Sequence, residues 1–329
     1  MDTQLNTKRI LIFLAFAVGI PWIAILVMYL TVRTDELIKL GTIAGPIFGF
    51  APALANVATR LITREGWGRL WLRPNFRRGW RSYLAAWLLP LLAVIVGGQI
   101  FFLVFPQTFD SNLSEVRKTF ASIPFLAINP WVGMLVTTLE NMLFGLVLGV
   151  FYFGEEFGWR AYLLPKLMER FTGAESGSAP AEDPAQARRQ AAGARKAALL
   201  VGLIWGIWHW PGQFLSMKID PTIPLLTPLV FLVSTCALSV LLCWVTLRSG
   251  SVWPASIGHG TINSISGLGR SLMKGPAMPL LGPGTIGLIG GLGFLALALV
   301  LLFNRRAFTG EKVRAASDMA REVVITSRG

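Results

Sequence analysis

At 329 residues, 53% hydrophobic and only 14% charged, with a mean hydropathy of +0.59, the chain is too apolar for a water-soluble globule, in which about a quarter of residues are charged. A net charge of +13 would suit nucleic acid in a soluble protein. In so apolar a chain the informative quantity is where each Lys and Arg falls, so the charge is read as topology and anionic-lipid contact, not nucleic-acid binding.

Eight apolar runs follow one another, at about 10–32, 40–60, 82–105, 139–163, 198–217, 225–247, 251–269 and 284–303. Each approaches the roughly 20 residues that an α-helix needs to cross about 30 Å of hydrocarbon. The runs are continuously apolar, not alternating, so helices are expected and a barrel is not. The predicted fold class is therefore all-α, a polytopic membrane protein of about eight transmembrane helices. The first run follows Lys8 and Arg9 as a secretory signal would, but it is too long for one and lacks a small-residue cleavage site, so it is read as a retained span.

Between the fourth and fifth runs, residues 174–195 (AESGSAPAEDPAQARRQAAGAR) hold no large apolar residue and are expected to form a flexible cytoplasmic loop. After the eighth run, 305–329 reads as a basic cytoplasmic tail. The rest, 1–304, is taken as a single transmembrane domain. With the N-terminus placed in the cytoplasm, 23 of the 30 Lys and Arg fall in inner segments, which predicts that both termini are cytoplasmic and that the cell membrane is the location. Cys236 and Cys243 lie seven residues apart on one predicted helix, about 10.5 Å along its axis, too far to bridge.

Ionisable groups inside membrane helices are costly, and each is a functional hypothesis by default. Three groups stand out. Glu155, Glu156 and Arg160 occupy the string GEEFGWR near the inner end of the fourth run; Glu156 and Arg160, four apart, can pair, which leaves Glu155 on another face. That helix is expected to stop at Leu164, before Pro165. His209, with Trp205 and Trp208 near it, lies in LIWGIWHWPG of the fifth run. His259 and Asn263, stacked four apart, lie in SIGHGTINS of the seventh. Counted from the inner helix ends, Glu155, His209 and His259 share a depth of about 12 to 17 Å. A carboxylate with a histidine can hold and deprotonate a water, while a second histidine and an asparagine can donate to a developing oxyanion. Glu155, His209 and His259 could alternatively ligate zinc with a position open for water, although the HExxH string is absent.

The strings EEFGWR, WGIWH and HGTIN, in that order on separate predicted helices, resemble the EExxxR, FxxxH and HxxxN/D pattern of the CPBP intramembrane proteases. That family includes CAAX prenyl proteases of the Rce1 type and bacterial Abi proteins. Trp205 stands where the family usually has Phe. The resemblance implies an intramembrane endopeptidase acting on a membrane-associated or lipid-modified protein or peptide. It implies that Glu155 and His209 activate water, that His259 and Asn263 form the oxyanion hole, and that Glu156, Arg160 and Trp205 support them, with a metal-free glutamate mechanism favoured over zinc. Two rivals from other classes are a proton-coupled transporter, since buried Glu and His also relay protons, and a non-catalytic or self-immunity membrane partner.

Overall fold

The computed structural model describes residues 3–173, 184–304 and 306–308. Among these residues there is no strand, only two isolated bridges, and the architecture is all-helical. The main helices are α1 (Thr3–Thr31), α2 (Thr34–Gly49), α3 (Ala51–Ile62), α4 (Phe76–Val104), α5 (Pro130–Thr172), α6 (Pro184–Ile219), α7 (Thr227–Ser249), α8 (Trp253–Ser264) and α9 (Leu292–Phe303).

Five of these, α1, α4, α5, α6 and α7, are long and apolar enough to cross a membrane. The other three predicted spans differ from expectation, each for a local reason. The 40–60 run is divided at Phe50, where Pro52 opens α3. The main helix of the 251–269 run is Trp253–Ser264, about 18 Å at 1.5 Å per residue, followed by a single turn from Leu268, and it is enclosed by other helices instead of spanning alone. The 284–303 run is helical only from Leu292, because the glycine-rich stretch before it folds into turns, with Gly282 at φ 118 and Gly287 at φ 147. Those values suit glycine and would strain any side chain.

Two further expectations are corrected. Residues 184–195, taken as loop from their composition, form the first turns of α6. Their Ala content favours helix, and Ala191, Gly193 and Ala194 are buried, with Gly193 packed beside Thr172 at the end of α5. Residues 174–183 of that predicted loop lie outside the described residues, as does nearly all of the 305–329 tail. Secondly, α5 does not stop at Leu164 but runs through Pro165 to Thr172. A π-helical turn, Trp159–Leu163, precedes the proline; the wider turn tolerates a residue with no N–H to donate. The same device, Ala15–Gly19 ahead of Pro21, appears in α1.

The layers follow from burial. Only 17% of the most apolar window of α5 is buried, and Leu135, Leu139, Leu143, Val147 and Val150 are exposed along it, as a lipid-facing surface requires. In α7 the corresponding share is 67%, which makes it the central helix. Two close crossings set the site. A Cβ on Gly145 would lie 2.7 Å from the Thr261 Cα, and one on Gly149 would lie 3.0 Å from the Ile257 Cα, so α8 sits directly against α5. A Cβ on Gly202 would lie 2.7 Å from the Cys236 Cα, which presses α6 onto α7. Small residues let backbones approach where lipid supplies no hydrophobic drive between helices.

Candidate active site

The two adjacent glutamates of α5 point to different helices, as a rotation of about 100° per residue requires. Glu155 faces α6, where its Oε2 accepts a hydrogen bond from Trp205 Nε1 at 2.7 Å. Glu156 faces α8. Its Oε1 accepts from Arg160 Nη1 at 2.9 Å and from His259 Nδ1 at 2.9 Å. Glu156 and Arg160 are both fully buried, so the ion pair read from their spacing lies in the protein interior. Glu156 Oε2 and the Nε and Nη2 of Arg160 are buried without a hydrogen-bond partner among the described residues.

His209 sits where α6 breaks between Trp208 and Trp210. Pro211 lacks the N–H that would continue the helix, and the break is tightened by His209 N donating to the Gly206 carbonyl at 3.2 Å. The ring Nδ1 lies 2.8 Å from the Trp205 carbonyl oxygen. A carbonyl only accepts, so Nδ1 carries the proton and the neutral ring presents a lone pair at Nε2. Trp208 and Phe231 wall the ring at centroid distances of 4.7 and 4.9 Å.

His259 is buried, stacked on Tyr152 at 4.0 Å between centroids, with its Nδ1 committed to Glu156. Its Nε2 is therefore the ring nitrogen left for another partner. Asn263 follows one turn later and is exposed; its carboxamide makes no hydrogen bond among the described residues, while its carbonyl accepts from Ser266 Oγ at 2.7 Å. The structure thus gathers Glu155, Glu156, Arg160, Trp205, His209 and His259 into one connected cluster, and leaves Asn263 at its rim without direct contact.

Trp205 joins these groups. Besides its bond to Glu155, the indole carries the Arg160 guanidinium 4.5 Å above its ring and meets the His259 ring edge-on at 5.1 Å. Sequence reasoning treated it as an aromatic neighbour and missed the N–H. The available signal was that a buried indole N–H ordinarily finds an acceptor. Tyr152 was missed as well, although its place four residues before Glu156 puts it on the same face of α5.

Among the described residues no group of three or more His, Cys, Asp or Glu side chains is placed to hold a metal ion. The alternative zinc set, Glu155, His209 and His259, is not gathered as such a group among the described residues.

Residues 137–265 match the family model described as type II CAAX prenyl endopeptidase Rce1-like. The match begins within α5 and ends just after α8, so it encloses all three motifs and every residue of the cluster. The similarity to the CAAX protease family extends over less than half of the chain, and the apolar helices make the chain a multi-pass membrane protein. No curated protein matches the chain.

Proposed function

We propose that this protein is an intramembrane endopeptidase that hydrolyses a peptide bond of a membrane-associated or lipid-modified substrate, reached from the cytoplasmic side or laterally from lipid. The observation that carries the reading is the Glu155–Trp205–His209 connection inside the apolar helices, within the segment matched to the protease family.

In this reading Glu155 is the base. Its Oε1, free of hydrogen bonds from the described residues, takes a proton from a water that His209 Nε2 helps to hold, and the water oxygen attacks the peptide carbonyl carbon. The carbonyl oxygen becomes the oxyanion, which His259 and Asn263 stabilise. Because Nδ1 of His259 donates to Glu156, donation from Nε2 requires the imidazolium form, for which Glu156 is the counter-ion. The proton held by Glu155 then passes to the leaving amine as the carbon–nitrogen bond breaks. No metal is needed for any of these steps. Glu156 and Arg160 tie α5 to α8 and hold His259 in place. Residues 1–304 act as one transmembrane domain, with both termini in the cytoplasm, the 305–329 segment as a tail and the cell membrane as the location; the positive-inside distribution supports this orientation.

The test is a cleavage assay of purified protein in liposomes with a lipid-modified peptide, comparing the wild type with Glu155→Gln. Turnover by the wild type that the variant loses supports the reading. Equal cleavage by both, or transport of a solute with no hydrolysis, would overturn it.

A further inference from the structure

We propose that Trp205 is a positioning residue for the base Glu155, holding one carboxylate oxygen so that the other meets the water. The proposal rests on the proteolytic reading above, and it concerns a residue that departs from the Phe of the family pattern.

A carboxylate at the end of a glutamate side chain turns readily about its last torsion, a broad, roughly two-fold rotor, and only one of its oxygens can take the proton at a given moment. Here Oε2 is held by the indole N–H at 2.7 Å, a short charge-assisted bond, with the carboxylate and the indole both buried. Oε1 accepts no hydrogen bond from the described residues and lies opposite Gly49, where even an added Cβ would stand 3.9 Å away, so there is room beside it. A phenylalanine in this place would keep an aromatic ring under Arg160 and beside His259, but it has no N–H. The nitrogen thus serves Glu155, while the ring serves the packing. The guanidinium 4.5 Å above the ring also withdraws electron density from the indole, which strengthens the N–H as a donor. The backbone of the same residue fixes His209 through its carbonyl, so the two groups proposed to share the water are referred to one residue.

Trp205→Phe isolates the nitrogen. The expected result is a fall in kcat on the order of tenfold with KM unchanged, the size of one lost hydrogen bond to a charged group. In a Glu155→Gln background the same substitution should cost no more than a factor of about two, since the group it positions is already disabled. A second measurement needs no turnover. The indole 1H–15N resonance of Trp205, identified by its disappearance in Trp205→Phe, should move upfield in Glu155→Leu as the acceptor is removed. A wild-type kcat in Trp205→Phe, equal losses in both backgrounds, or an indole resonance unmoved in Glu155→Leu would each overturn the positioning role. A wild type that cleaves no lipid-modified peptide overturns the proteolytic reading instead, and the resonance then decides the Trp205–Glu155 bond by itself.

Discussion

Two polar clusters sit on the same helix, α5, less than three turns apart, and they are built on opposite plans. Around Lys166 the charges are joined by ion pairs. Lys166 lies 2.6 Å from Glu65 and 3.5 Å from Glu169, Arg9 lies 3.4 Å from Glu65, and the Tyr162 hydroxyl donates to Glu65 at 3.0 Å. Burial by itself would raise the Glu65 carboxyl, yet the hydrogen bond and charge of Lys166, then Arg60 and Arg9, hold it below its ordinary value of 4.5. Around Glu155 and Arg160 the pairing is incomplete. Among the described residues Arg160 keeps two unpartnered nitrogens, Glu156 keeps an oxygen, and Glu155 keeps Oε1 with only an indole on its other side. A paired network near the helix end fastens α1, the loop after α3 and α5 together. A cluster left partly unpaired at depth costs stability, and such groups persist where chemistry uses them.

This contrast can be broken most sharply at the proposed base. Glu155→Gln and His209→Ala should each lower cleavage by about 100- to 10,000-fold, the range of acid–base catalysis, with melting temperature close to wild type. Unimpaired cleavage by either variant would remove that residue from the water site. Asn263→Ala, at the exposed rim, is expected to lower turnover on the order of 100- to 1,000-fold while KM stays within about twofold, as loss of an oxyanion donor does. A rise in KM at constant kcat would make Asn263 a substrate contact and not an oxyanion group.

Smaller effects belong to the paired parts. Glu156→Gln leaves the fully buried Arg160 without its counter-charge, and a loss of about 3 to 5 kcal/mol is the usual consequence of such a deletion. Thermal or denaturant unfolding should show it before any assay does, and a wild-type melting temperature would show that Arg160 has found another anion. At Glu65 the expectation concerns pH. Its folded carboxyl titrates below the unfolded one, so the stability it contributes is present above the unfolded value of about 4.5 and is lost as pH falls through the lower folded value. Melting temperatures followed from pH 7 downward should decline in that acid window for the wild type. The decline should be shallower for Glu65→Gln, and identical profiles would mean that the Lys166 network adds nothing that depends on ionisation.

Membrane class, helical fold and the pairing of Glu156 with Arg160 were legible in the chain, because each depends on local composition or on spacing along one helix. Apolar runs near 20 residues can be satisfied in lipid only as helices, and residues four apart on a helix are neighbours wherever the helix lies. The extent of individual helices was less legible. Whether an apolar run of 251–269 becomes a full span or the short, enclosed Trp253–Ser264 depends on what surrounds it, and hydropathy does not distinguish lipid from protein interior. Loop and helix were confused at 184–195 for the converse reason, since alanine and glycine are poor in hydropathy signal yet suit a helix pressed against α5. The arrangement of the site was decided by tertiary structure alone. That His259 answers to Glu156 and Trp205 to Glu155, 103 and 50 residues apart in the chain, depends on α8 and α6 each meeting α5 in space, α8 at Gly145 and Gly149 and α6 at Gly193, and no periodicity within one helix carries that information.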